Sequence, residues 1–268
     1  MRATYLLIAI CVAVFAMELA GGAAFLPGFV LSPVSLLAEP WAIITSLFAH
    51  ADIEHILFNM LALFMFGSVL EARLGPNRFL FLYLVSGVVG AVGFMLFNPP
   101  FELALGASGA IYGIIGALVL LEPKLTVYFY GVPIPMYVAG PIYALIEVFA
   151  MGSTDSIAHS AHLLGFFAGL ALATQERQAW PPKPPMELWK ALAIPIALSL
   201  LVAVGFGAYY LSDALNRKML SCEGAASAEA AKACLLDLSK EYKNSPQQQG
   251  YICDEYERLF RETGCRGV

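Results

Sequence analysis

Apolar residues run along this chain in long blocks, and the few polar or proline-rich breaks between them define its elements. Blocks suited to helices cover about 3–21, 53–72, 78–97, 108–121, 134–151, 156–174 and 190–211. Most of them approach the roughly 17–25 apolar residues that a bilayer-spanning helix needs. The first six follow one another closely, and Pro181, Pro182, Pro184 and Pro185 then mark a linker before the seventh. The predicted fold is an all-α polytopic membrane helix bundle. It has a six-helix core over residues 1–177, a linker over 178–189, a seventh transmembrane helix over 190–211 and a polar tail over 212–268.

The fourth block departs from the others. From Gly109 to Leu121 it holds thirteen residues, which is about 20 Å of helix against a hydrocarbon core of about 30 Å. If it ends at the Glu122-Pro123-Lys124 boundary, Ser108 at its start lies roughly 10 Å below the opposite surface. Irregular backbone at that depth has to be buried in protein or line a water-filled cavity.

In the tail, Ala225–Tyr242 reads as an alanine-rich helix, Asn244-Ser245-Pro246 as a turn and Gln247–Glu262 as a second helix. Cys234 and Cys253 are nearly equidistant from the turn, as are Cys222 and Cys265, so an antiparallel hairpin predicts the nested bridges Cys222–Cys265 and Cys234–Cys253. A four-cysteine zinc site is disfavoured because no C-x-x-C pair is present. Cys11 stands alone in the first apolar block, as a small hydrophobe.

Charge orients the bundle. Arg2, Arg73, Arg78, Lys124, Arg177, Lys183 and Lys190 all fall on one side of the predicted membrane, which the excess of basic residues in cytoplasmic loops makes the inner one. The opposite loops hold Glu39, Asp52, Glu102 and Asp155 but no basic residue. The N-terminus and the linker are therefore expected in the cytoplasm, Ser108 opens outward, and the cysteine hairpin lies outside, where thiols oxidise. The first outer loop, residues 22–52, carries Phe25-Leu26-Pro27 and Trp41-Ala42-Ile43-Ile44, apolar enough to lie in the interface.

Composition supports a membrane setting and removes other classes. Over 268 residues, 59% are hydrophobic and 13% charged, far from the roughly 45–50% and 25% of soluble domains. The formal net charge of −5 comes without a basic stripe, so no nucleic-acid partner is expected. The block after Met1-Arg2 is read as a first membrane helix rather than a cleaved signal peptide.

The four histidines carry the chemistry. His50 and His55 enter the second helix, and His159 and His162 sit in the sixth, all near the outer ends. Gly165 and Gly169 form a small-x-x-x-small face below His162, and Gly109 and Gly113 form another below Ser108. Packed together, those faces bring imidazole and hydroxyl within reach. His55 and Asn59 share a helix face at i, i+4 near the same depth. Hydroxyl, imidazole, amide and second imidazole at one level supply nucleophile, general base and oxyanion donors for acyl transfer. No acidic residue of the sixth helix is placed to orient His162, so a Ser–His dyad is expected. Asp155 is assigned to an exposed loop, Glu147 of the fifth helix to a structural carboxylate rather than a polar gate, and Glu18 of the first to snorkelling at its outer end.

These motifs resemble the rhomboid intramembrane serine proteases. The matching stretches are His50 with His55-x-x-x-Asn59, Gly106-x-Ser108-Gly109 with Tyr112, and Ala161-His162-x-x-Gly165-x-x-x-Gly169, together with Leu70-Glu71-Ala72-Arg73-Leu74-Gly75. The resemblance covers about residues 3–175 and implies Ser108 as nucleophile and His162 as general base. It also implies Asn59, His55 and the Ser108 backbone N–H as the oxyanion hole, with Tyr112 packed on the His162 ring. The implied activity is endopeptidase cleavage near the outer end of a substrate's transmembrane segment, in the cell membrane, with membrane proteins and lipids as partners and no cofactor or metal. The outer loop has Trp41 but not the Trp-Arg pair of many members, and the seventh helix and hairpin lie outside the resemblance.

Other classes fit less well. A non-proteolytic, membrane-protein-binding relative is the nearest alternative, but it is expected to lack Ser108 or His162. A transporter or channel predicts repeated broken helices and charges along a pathway, whereas these polar residues cluster toward one face. A heptahelical receptor has no need of a glycine-flanked serine in register with a histidine.

Overall fold

A computed structural model describes residues 2–21, 28–33, 36, 39–98, 102–129, 131–151, 157–177, 187, 193, 197, 218, 219, 221, 222, 227–243, 249, 250, 252, 253, 256, 257, 260 and 265. The described chain forms α1 (Ala3–Gly21), a short α2 (Ala42–Thr45) continued by the 3-10 turn Ser46–Phe48, and α3 (Ile53–Leu74). Next come α4 (Pro76–Phe97), α5 (Ser108–Leu121), an antiparallel hairpin of β1 (Thr126–Phe129) and β2 (Val132–Pro135), α6 (Met136–Ala150) and α7 (His159–Arg177). In the tail, α8 spans Ala228–Glu241. The linker and nearly all of the expected seventh helix, 190–211, lie outside the described residues.

Helices α1, α3 and α4 are each long and apolar enough to cross a membrane, while α5 and α6 are apolar but shorter. Local chemistry sets several boundaries. Asp52 caps α3 by accepting the His55 backbone N–H at 2.7 Å. Gly75, at φ 78°, reverses the chain so that Pro76 can open α4. A π-helical stretch, Leu63–Gly67, interrupts α3.

One end of the bundle is fastened by the Glu71 carboxylate, which is almost fully buried. It accepts the backbone N–H groups of Ala3 and Thr4 at 2.7 and 2.9 Å and the Thr4 hydroxyl at 2.6 Å. A negative charge thus meets the unsatisfied donors and positive dipole end of α1. Arg78 pairs with Glu176 at 2.9 Å and Arg73 with Glu122 at 3.5 Å, so charges from α3, α4, α5 and α7 gather there too.

At the centre is α5, buried along most of its length, with α4 and α7 pressed on it. The expected glycine faces meet: a methyl at Gly165 would overlap the Gly109 carbonyl, and one at Gly169 the Gly113 carbonyl. Helix α4 joins the same contact, since Gly90 and Gly93 run against the carbonyls of Ala161 and Ser160. Gly90 is level with Gly109 and seven residues before the α4 end at Phe97, so Ser108 sits roughly 10 Å down the bundle.

Two expectations, for Glu18 and for the disulfide pairing, are corrected, and two features add detail to the bundle. The segment between α5 and α6 contains the β1–β2 hairpin, an addition to the all-α pattern made where Gly131, at φ 81°, turns the chain. Glu18 does not snorkel: it is 8% exposed, and its Oε2 accepts the His50 backbone N–H at 3.4 Å. Trp41 is 52% exposed, and it is the neighbouring Ala42 and Ile43 that are buried. The nested disulfides are replaced by Cys222–Cys234 and Cys253–Cys265, each joining residues twelve apart, with Cα atoms 5.4 and 5.3 Å apart. Each bridge ties a helical segment to its sequence neighbour, around a small core of Met219, Leu235, Leu238, Ile252 and Tyr256. Closing two short loops costs less chain entropy than closing the longer outer loop of a nested pair.

Candidate active site

Ser108 is the first residue of α5, and the backbone before it is built for close approach. Gly106 has φ 123°, and its N–H donates to the Ser46 carbonyl at 2.8 Å. A methyl group there would lie 2.7 Å from His55 Nε2, so glycine serves both the conformation and the space. Paired backbone bonds of 2.8 and 2.9 Å between Leu31 and Ala104 pin the approach strand to the first loop.

His162 Nε2 lies 2.7 Å from Ser108 Oγ, across a separation of 54 residues. The imidazole is 8% exposed and stacks on the Tyr112 ring at 4.4 Å between centroids and 8° between planes. Tyr112 is one turn along α5 from Ser108, so a single helix supplies both the hydroxyl and the surface that fixes the ring facing it.

Glu147, expected as a structural carboxylate, lies against the site residues themselves. It is 3% exposed, its Oε1 accepts the Tyr112 hydroxyl, and its Oε2 lies 2.5 Å from His159 Nδ1. The same Oε2 is 3.1 Å from His162 Nδ1, within ion-pair range but off the alignment of a full hydrogen bond. Its sequence signal was a carboxylate inside an apolar helix, which is costly unless paired; which partners pair it depends on how α6 docks. Ligand atoms of Glu147, His159 and His162 lie within 4.8 Å of one another, a donor set suited to zinc. Two of the three contacts already pair nitrogen with the carboxylate, so the hydrogen-bond and ion-pair reading accounts for the cluster.

On the other side of Ser108, His55 Nδ1 accepts the Ala51 N–H at 3.3 Å, which assigns the ring proton to Nε2, the atom facing Gly106. Asn59 Nδ2 donates to the His55 carbonyl at 2.9 Å, leaving its second amide hydrogen available. Buried His50 sits edge-on to His55 at 5.1 Å, with its Nδ1 3.3 Å from the Phe48 carbonyl oxygen. Burial and the neighbouring His55 push the pKa of His50, outside the membrane-spanning helices, down to about 4. Asn59, Ser108 and Tyr112 all line one cavity of about 790 Å³, walled by α3, α5, β1 and Tyr143 of α6. Asp155 lies outside the described residues.

The arrangement can activate a hydroxyl and offers N–H donors beside it, and the chain that builds it is similar in sequence to known proteins. The Rhomboid domain model matches residues 37–178. "Rhomboid protease GluP" of Bacillus subtilis is 33% identical over 218 residues, 78% of this chain and 40% of that protein. "Putative rhomboid protease YdcA" of the same organism is 33% identical over 143 residues, 52% of this chain and 70% of the relative. "Rhomboid protein 1, mitochondrial" of Saccharomyces cerevisiae is 32% identical over 176 residues, 62% of this chain and 51% of the relative. The chain thus spans less than half of GluP and about half of the yeast protein. With a family model covering more than half its length and its site residues inside that match, this chain is an integral membrane protein of the rhomboid family.

Proposed function

We propose that the protein is an intramembrane serine endopeptidase that cuts single-span membrane proteins near the outer end of their transmembrane segment. The observation that carries this reading is the 2.7 Å contact between Ser108 Oγ and His162 Nε2, set well below the end of α4. A substrate segment enters the cavity beside α3 and α6 and unwinds, because a regular helix keeps its carbonyls in internal hydrogen bonds.

As Ser108 Oγ bonds to the scissile carbonyl carbon, its proton passes to His162 Nε2 and the carbonyl π electrons move to oxygen. That oxyanion is met by the Ser108 backbone N–H, the free amide hydrogen of Asn59 and His55 Nε2–H. His162 returns the proton to the departing amine nitrogen as the C–N bond breaks. Water then repeats the cycle on the acyl-enzyme, yielding the new carboxyl terminus and free Ser108. Positioning of the reactive pair rests on the glycine contacts between α5 and α7.

The distribution of basic residues supports an orientation with the N-terminus in the cytoplasm and with Ser108 and the cysteine hairpin on the outer side of a cell membrane. Reconstituted protein should cleave a single-span substrate, and Ser108→Ala and His162→Ala should each abolish cleavage while remaining folded. Substantial cleavage by either variant refutes the reading.

A further inference from the structure

We propose that Glu147 is a positioning residue for the Ser108–His162 pair, holding the His162 ring in its base-competent tautomer and balancing the charge it acquires. This rests on the proteolytic reading and extends the two-residue pair by a carboxylate from a third helix.

A carboxylate 3% exposed in an apolar helix is costly, and its burial calls for compensating interactions. Among the described residues, the ion-pair partners of Glu147 are both histidines. Its two oxygens divide the support of one ring: Oε1 accepts the hydroxyl of Tyr112, on which His162 stacks, and Oε2 is 3.1 Å from His162 Nδ1. For Nε2 to take the Ser108 proton, the resting ring must carry its own proton on Nδ1, and a carboxylate there favours that state. When Nε2 gains the proton, Nδ1–H faces a negative charge in a water-poor site, where that charge counts most. Glu147 takes no proton in the step. The imperfect alignment at Nδ1 in the unliganded site is common for catalytic hydrogen bonds before substrate binds. Meanwhile the 2.5 Å contact to His159 holds the carboxylate from α7.

The titratable groups facing His162 are Glu147 on α6, Tyr112 on α5, His159 on its own helix and His55 on α3. The test uses the full chain, a fluorogenic peptide carrying one membrane span, and Glu147→Gln, which keeps size and hydrogen bonding but removes the charge. Expected are a fall in kcat of about 100-fold, KM within about twofold, unchanged thermal unfolding, and an acid limb of the pH–rate profile displaced to lower pH. Glu147→Asp, which keeps the charge, should recover part of kcat. Unchanged kcat and profile in Glu147→Gln, beside inactive Ser108→Ala, would overturn the role of Glu147 alone. Lost activity that follows lost folding, with an undisplaced profile, would overturn it in favour of plain packing. Full activity in Ser108→Ala would remove the proteolytic reading itself.

Discussion

Gly169 of α7 lies against the carbonyl of Gly113 in α5, so closely that a methyl group there would overlap backbone rather than a movable side chain. This contact and that of Gly165 with Gly109 fix how near His162 comes to Ser108. Gly169→Ala forces the helices apart, and overpacking of this kind typically costs about 1–3 kcal/mol. Because small displacements of reacting groups can cost about 100-fold in rate, turnover should fall more steeply than stability. Thermal unfolding and kcat of the purified variant check both, and wild-type values in each would contradict the packing account.

These glycine faces, like the shared face of His55 and Asn59, were legible in the sequence because helical spacing alone puts residues four apart on one side, whereas Ser108 stood out by the short fourth block and His162 by being titratable in an apolar helix. The start of α1 after Arg2 and the end of α5 before Glu122-Pro123-Lys124 were legible too, since a charged or proline-bearing break stands at each. Glu147 was visible only as an anomaly, because its pairing with Tyr112, His159 and His162 depends on the docking of α6. Gly87, Gly90 and Gly93 of α4 gave the same small-residue signal as the faces that were recognised. For the cysteines, symmetry about the 244–246 turn suggested nested bridges, yet the identical twelve-residue separation within each half was equally present and marks the local pairs.

Asn59→Ala removes one of the proposed oxyanion donors and leaves nucleophile and base in place. The expected loss is about 10²- to 10³-fold in kcat, smaller than the loss in Ser108→Ala. Steady-state kinetics on the same peptide decide this, and an unchanged kcat would exclude Asn59 from the oxyanion hole.

Stability should depend on pH through His50. Its pKa is lowered from 6.5 to about 4 by burial and by His55, so between those values the unfolded chain binds the additional proton. The stability owed to the neutral ring is therefore complete above about pH 6.5 and is lost as pH falls toward about 4. Melting temperatures measured across that window should drop more for the wild type than for His50→Asn. Parallel curves would show that His50 does not titrate differently on unfolding.

In the tail, non-reducing peptide mapping should recover Cys222 linked to Cys234 and Cys253 linked to Cys265. Cys222→Ser should then free only Cys234 and leave the second bridge intact. Recovery of Cys222–Cys265 or Cys234–Cys253 would restore the nested arrangement.

The central claim is that Ser108 is a nucleophile activated by His162. Its most direct measurement is labelling of the intact protein with a fluorophosphonate, followed by mass spectrometric mapping of the modified residue. The account predicts a single adduct on Ser108 that forms rapidly in the wild type and is lost in His162→Ala. An adduct on another residue, or labelling of Ser108 that proceeds equally well without His162, would contradict it.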